Sequence, residues 1–265
     1  MISFLRFSLF SCAAVIFASA VMLSDARGQD HPRETCARDL ASCPMSGCEE
    51  EGSPHALGNT IKRTVPQAGT PIKLTFDDFS QLQDQATAKV GQNRDLTQEL
   101  RDRLRGLNLA SSNQTVSEGD LVELTGFLIG LPNRPGPSGA ESVNCRFTGV
   151  KNVDFHIPMA PNADDTEFAG IVVEMIPQDR NEGWTSKKLK RTARESRPVV
   201  VRGQLFYDNK HLVNDDPDEV LPGHPKRFSL WEIHPVTALL VCMAKNKRCG
   251  ANSQQWRRLE QVFND

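Results

Sequence analysis

Beyond residue 28 this 265-residue chain has no stretch long and apolar enough to cross a membrane as a helix, which excludes a helical span in its body. It also lacks an H-E-x-x-H pair, a Gly-rich phosphate loop and a Gly-x-Ser-x-Gly elbow. Those absences remove the contiguous signatures of zinc peptidases, phosphate-cradling nucleotide sites and serine hydrolases. Charge of one sign is missing too: 31 Lys and Arg face 33 Asp and Glu, a net charge of −2, which gives no general attraction to nucleic acid. Aromatics make up only 6% of the chain. Phe147, Phe155, Phe206, Tyr207 and Trp231 are the chief stacking candidates, and strand alternation sends several of them inward, so nucleic acid is not an expected partner.

What is present begins with a leader. Met1 to Arg6 is a short start with one basic residue, and residues 7–23 form an apolar run broken only by Ser8, Ser11, Cys12 and Ser19. Ala26 and Gly28 then supply small residues at the −3 and −1 positions of a cleavage site. The pattern is that of a signal peptide over 1–28. The small-x-small exit favours it over an uncleaved anchor, and too few apolar residues precede Cys12 for a lipoprotein signal. The expectation is an exported protein, periplasmic or extracellular, with a mature part beginning near Gln29. Arg6, Arg27 and Asp25 leave with the leader, which moves the net charge one unit further negative.

Cys12 leaves as well. The other six cysteines fall as Cys36, Cys43 and Cys48 near the front and Cys145, Cys242 and Cys249 near the back. In an oxidising compartment they imply three disulfides, with ~15 possible pairings. Because each group is odd, full oxidation requires an odd number of bridges between the groups, so the front is stapled onto the main domain. Metal binding by Cys36, Cys43 and Cys48 is the poorer reading, since no fourth ligand stands at zinc spacing.

Residues 29–70, rich in Pro, Gly, Ser, Cys and charge, read as a loop-dominated segment held by its cysteines. Thr75-Phe-Asp-Asp78 is a capping box that opens a helix through Phe79, Leu82 and Ala86, with Gly91 as its stop. Leu96, Leu100 and Leu104 recur every four residues and predict a second helix over 94–105, ended by Gly106. Residues 71–110 are therefore expected to be a small helical subdomain. From Ser117 the period changes to two. Strands are expected over 120–131, with a bulge or bend at Gly126, and over 142–148, 153–158, 170–176 and 198–207, with residues 229–236 leading into 237–242 as the last, an exposed loop over 132–140 and a basic helical segment over 187–197. Short strands, glycine kinks and one intervening helix predict a mainly β chain with a five-stranded OB-like barrel over 111–245, a β-sandwich being the alternative, and a C-terminal tail over 246–265.

Asp154-Phe-His156, Val173-Glu-Met-Ile-Pro177, Gly203-Gln-Leu-Phe-Tyr-Asp-Asn-Lys-His211 and Trp231-Glu-Ile-His-Pro235 stand in an order and spacing that resembles a group of exported bacterial OB-like proteins of no established activity. The similarity covers roughly residues 120–243, and the Cys-rich front with its two helices also resembles some members. The resemblance implies an OB-like fold and export. It transfers no catalytic residue, because the group has no assigned chemistry.

The chemistry is weighed from the residues. Alternation in a strand puts Asp154 with His156, and Glu232 with His234, on a shared face. Glu174 interrupts an apolar run, while Asp208 and His211 belong to the exit turn of a strong strand. If these segments adjoin, the groups converge. Imidazole nitrogen with carboxylate oxygen suits zinc, manganese or iron, and an open position on such an ion activates water. His156, Glu174, Asp208, His211, Glu232 and His234 are accordingly candidate ligands of a divalent metal. The plainer reading is that they satisfy one another's hydrogen bonds and fix strand register. Lys187, Lys188, Lys190, Arg191, Arg194 and Arg197, opposed only by Glu195, are a candidate surface for phosphate, an acidic glycan or an anionic membrane, with a solvated helix face as the plainer reading. No residue is assigned as catalytic. The expected function is a non-enzymatic binding or envelope-associated module of unspecified ligand or envelope partner, with a metal-dependent hydrolase of phosphodiesters or esters as the alternative.

Overall fold

A computed structural model describes residues 34–92, 95–129 and 140–263; the leader over 1–28 and nearly all of the loop over 132–140 lie outside them. Within the segment expected to be loop-dominated stands a helix, α1 (Pro54–Arg63). Its start is set locally: Ser53 Oγ accepts from the Ala56 amide, and Pro54 takes the first helical position, where a missing N–H loses no bond. β1 (Ile72–Leu74) leads into α2 (Phe76–Val90), opened by the expected capping box, in which Thr75 Oγ1 accepts from the Asp78 amide and Asp78 accepts from the Thr75 N–H. The second expected helix is far shorter, α3 (Gln98–Asp102). Thr97 accepts from the Leu100 amide and so fixes the start, while Leu96 and Leu104 are fully buried outside the helix. Their spacing reports burial, not helix. β2 (Leu107–Asn108) and β3 (Thr115–Val116) form a small antiparallel pair.

β4 (Leu121–Leu128), β5 (Phe155–Ala160), β6 (Ile171–Met175), β7 (Pro198–Tyr207) and β8 (Trp231–Cys242) close a five-stranded barrel in the order β4-β5-β6-β8-β7, with β7 pairing back onto β4. β6 and β8 run parallel, Val173 opposite Ile233, and the other barrel pairs are antiparallel. α4 (Ser186–Arg194) fills the connection between β6 and β7. The protein is thus mainly β, with an OB-like barrel. β9 (Trp256–Arg258) pairs with β8, so part of the expected tail is a strand of this sheet. Gly126 stays in register opposite Val199 and makes no bulge. What its missing side chain permits is close approach, since a Cβ there would lie 2.7 Å from Ala160 O and 2.9 Å from the Phe76 ring.

Residues 142–148 are not a strand. Ser142–Asn144 is a 3-10 turn, and Cys145 and Arg146 follow at φ 50° and 60°, backbone that no strand contains. The disulfides are Cys36–Cys48, Cys43–Cys145 and Cys242–Cys249. One bridge joins the front and back groups, in agreement with the parity of the cysteines. The interior cluster takes Leu124, Ile157, Val173, Val201, Leu205, Trp231 and Ile233 from the barrel together with Phe79, Leu82 and Ala86 from α2. The stretch 71–110 therefore shares the barrel's core. Ser229 Oγ donates to Phe79 O at 3.1 Å and the Leu230 amide to Gln83 Oε1 at 2.7 Å, which ties α2 to the entrance of β8. No helix among the described residues is long and apolar enough to cross a membrane.

Candidate metal centre

Strand register builds the site. His156 is the register partner of Glu174 across β5 and β6, and the Val173–Ile233 pair sets the next residues, Glu174 and His234, side by side on β6 and β8. Ile157, Val173, Met175 and Ile233 belong to the interior cluster, so the polar set occupies the opposite, outer face of the barrel wall. That face is covered. Gln204 Nε2 on β7 reaches Ile61 O of α1 at 2.6 Å, and Asn59 Nδ2 of α1 donates to Ser142 Oγ at 3.0 Å, which brings the helix and the 142–144 turn over the wall. The side chains of Asp154 and His234 are 0% exposed and Glu174 4%, whereas His156 and Glu141 are about one quarter exposed and form the wet side.

His234 stands at a bulge. Between the pairs Leu205–Ile233 and Gly203–Val236, Gln204 alone faces both His234 and Pro235, the interruption expected of a strand proline. Gly203 allows it, because a Cβ there would lie 2.2 Å from Pro235 O. Gln204 Nε2 also donates to His234 O at 3.0 Å, fixing that backbone.

His156 Nε2 lies 3.5 Å from Glu174 Oε2 and 3.6 Å from Glu141 Oε1; His234 Nδ1 lies 2.9 Å from Glu174 Oε2, and its Nε2 is 3.9 Å from Asp154 Oδ2. Asp154, Glu174 and His234 offer atoms within 4.8 Å of one another, as do Glu141, Asp154 and His156, the two groups sharing Asp154. An ion with bonds of ~2.0–2.2 Å holds adjacent donors ~3–3.5 Å apart, which is the spacing of the His156 and Glu174 atoms. Asp154 Oδ2, His156 Nε2, Glu174 Oε2, Glu141 Oε2 and both ring nitrogens of His234 are buried with no hydrogen-bond partner among the described residues. Buried polar atoms are normally satisfied, so this many orphans at one place is itself a signal. Asn144 Nδ2 donates to Asp154 Oδ1 at 3.0 Å and Gln178 Nε2 to Asn144 Oδ1 at 2.9 Å, an outer layer that turns Asp154 Oδ2 toward the other donors.

Electrostatics agree with the crowding. Burial, then the charge of Glu141, pushes the Asp154 carboxyl up to about 7. Burial opposes an imidazolium at His234, but Glu174 beside it outweighs that and raises its pKa to about 10. Burial likewise works against the Glu174 carboxylate, yet His156, His234 and Lys62 hold it well below the usual range. Asp154 and His234 therefore hold their protons beside a charged Glu174.

Next to it lies a second buried set. The Arg227 guanidinium, fully buried, donates through Nη1 to Glu232 Oε1 and through Nη2 to Asp208 Oδ2 at 2.7 Å. His211 Nδ1 lies 2.5 Å from Asp208 Oδ2. Of the six candidate ligands, His156, Glu174 and His234 meet; Glu232 touches the centre at 3.5 Å from His234 Nδ1 while its other oxygen is taken by Arg227; Asp208 and His211 belong to the arginine's set. Asp154, which shares a face with His156, joins the donors. Glu141 carries no periodic signal and emerges only from the fold.

The basic stretch is partly internal. Lys188 is buried and donates to Glu260 O at 2.8 Å; Arg191 pairs with Glu195 at 2.7 Å and lies over the Phe263 ring; Arg197 bonds Glu195 and Cys242 O. Lys187 and Arg194 remain exposed and Lys190 half-buried, which leaves the helix a smaller outward charge than its composition implies. No family model, curated protein or solved structure matches this chain, so its function is reached through the site's own chemistry.

Proposed function

We propose that this is an exported OB-like binding module whose barrel wall holds a divalent transition-metal ion, with Asp154, His156, Glu174 and His234 as donors and Glu141 closing the set from the wet side. One observation carries the reading: five side chains, from a turn, three strands and the residue just before β5, form two groups that share Asp154, each with atoms within 4.8 Å of one another, and each side chain has a buried atom with no hydrogen-bond partner among the described residues. Two imidazoles with carboxylates suit zinc, manganese or iron(II). Export is supported by the leader pattern over 1–28 and by three disulfides, which persist in oxidising compartments.

The test is metal analysis of protein purified without a His tag, followed by thermal melts with added zinc or manganese. Bound metal, or a melt that rises with metal concentration, supports the reading. No bound metal and no shift remove it.

A further inference from the structure

A cavity of about 200 Å³ opens beside the metal centre, lined among others by Lys62, Glu141, Ser142, Asp208, Lys210 and His211. We propose that this cavity is a phosphoryl site where the protein hydrolyses a small phosphate ester, with His211 as general base and Lys62 and Lys210 holding the phosphoryl oxygens. The inference rests on the metal reading above.

His211 has the geometry of an oriented base. Its Nδ1 is held by Asp208, whose carboxylate is buried and anchored by Arg227. The ring of His224 braces it edge-on at 5.7 Å between centroids. With Nδ1–H committed to Asp208, the lone pair sits on Nε2, which has no hydrogen-bond partner among the described residues, and the side chain is one third exposed. A carboxylate that fixes the tautomer of a half-exposed imidazole is the arrangement proton-transfer sites use.

The two lysines define the substrate. Lys62 lies over the Phe206 ring at 5.4 Å from its centroid and lines the cavity together with Glu141 and Asp208. Lys210 faces the same space, where burial and the charge of Lys62 disfavour its own ammonium. An oxyanion between the two relieves their repulsion. The volume accepts a phosphoryl group and a water and falls below the ~300–1,000 Å³ of sites that enclose whole organic ligands, so the alcohol part extends through the open side.

The step balances without redox change. Water attacks phosphorus as its proton passes to His211 Nε2, the P–O ester bond breaks on the opposite side, the departing alkoxide takes a proton from solvent at the open side, and the imidazolium returns its proton to solvent, giving alcohol and phosphate. A divalent ion held by Asp154, His156, Glu174 and His234, with Glu141 shared between that set and the cavity, would supply positive charge against the phosphoryl oxygens.

The full chain, loaded with Mn²⁺ or Zn²⁺ and assayed for ion content, is offered 4-nitrophenyl phosphate and bis(4-nitrophenyl) phosphate. Ion-dependent release of 4-nitrophenol, competed by inorganic phosphate, is expected. His211→Gln should lower kcat at least about 100-fold with ion affinity unchanged. Lys62→Gln should raise KM about tenfold or more while ion affinity holds or tightens. Lys210→Gln should also raise KM. Metal-loaded protein that neither releases 4-nitrophenol nor takes up inorganic phosphate overturns the proposal and leaves the metal reading standing. A chain that binds no metal overturns both, and full turnover in folded His211→Gln overturns the assignment of the base.

Discussion

Nδ1 of His234 stands 2.9 Å from Oε2 of Glu174, yet neither atom makes an aligned hydrogen bond. Two buried groups of opposite character this close, off the hydrogen-bond line, are placed to share a third partner. Glu174→Gln keeps the shape and removes the charge. Loss of an outer-layer partner alone weakens metal sites about 10- to 100-fold, so loss of this donor should exceed that range, measured by equilibrium dialysis with Zn²⁺ or Mn²⁺. Affinity equal to the wild type would take Glu174 out of the donor set.

The same pair sets a pH dependence. His234 is raised to about 10 in the fold from an ordinary 6.5, so the folded state holds its proton more tightly than the unfolded chain. Its stabilising contribution is complete below pH 6.5 and is lost as pH rises toward 10. Asp154, raised from 3.8 to about 7, acts with the same sign at lower pH, complete below 3.8 and lost through 7. Glu174 has the opposite sign and its contribution is lost only in acid. Metal-free protein should therefore melt at falling temperature from pH 6.5 to 10. Saturating metal should reduce that slope, because the ion needs the deprotonated donors, and calorimetry near pH 6.5 should detect proton release on binding. A metal-free melting temperature that is level across this window would contradict the protonated pair.

Arg227 is fully buried between Asp208 and Glu232. Arg227→Met leaves two carboxylates buried without their cation, a loss expected to cost about 3–5 kcal/mol. Urea unfolding should show that drop, and adding Asp208→Asn with Glu232→Gln should recover much of it. No recovery in the triple variant would mean that the arginine's packing, not its charge, is what the fold uses.

Much of this site is legible in the sequence because strand alternation has period two in any β fold. Asp154 with His156, and Glu232 with His234, can be paired on sight, and Glu174 stands out in its apolar run. The barrel follows from the change of period at residue 117. Glu141, Lys62 and Arg227 are not legible in the same way. Glu141 belongs to an aperiodic turn placed by the Cys43–Cys145 bridge, and cysteine parity requires such a bridge without naming it. Lys62 rides on a helix whose Ser53-Pro54 start signal is masked by the turn-rich composition around it. Arg227 enters from the end of a long connection, where no local pattern tells which way a side chain turns. The spacing of Leu96, Leu100 and Leu104 misleads for a related reason: buried leucines recur at helical intervals here although only five residues, capped by Thr97, are helical.

Gly203 gives a test of the bulge. A Cβ there would meet Pro235 O at 2.2 Å and Ile233 Cγ2 at 2.6 Å. Gly203→Ala should cost about 1–3 kcal/mol by overpacking and displace Pro235, carrying His234 with it. Gly126→Ala meets a comparable clash with Ala160 O at 2.7 Å, away from the donors. Both variants should be less stable in urea, but only Gly203→Ala should also bind metal more weakly. Equal metal affinity in the two would mean that the bulge does not set His234.

The disulfides should separate stability from site assembly. Cys43–Cys145 spans 102 residues of sequence and Cys242–Cys249 only 7; on chain-entropy grounds their removal costs about 4.7 and about 2.5 kcal/mol respectively. The long bridge does more than shorten the unfolded chain. It holds the turn that carries Glu141 and Asn144, and Asn144 in turn bonds Asp154. Replacing Cys43 and Cys145 by serine should therefore lower both the urea midpoint and metal affinity, while serines at 242 and 249 should lower only the midpoint. The two effects are read on one sample set, unfolding by fluorescence and binding by dialysis below the unfolding transition. Unchanged metal affinity in the folded Cys43→Ser, Cys145→Ser variant would remove Glu141 and Asn144 from the site and leave Asp154, at the entrance of β5, with the strand-borne His156, Glu174 and His234 to bind the ion alone.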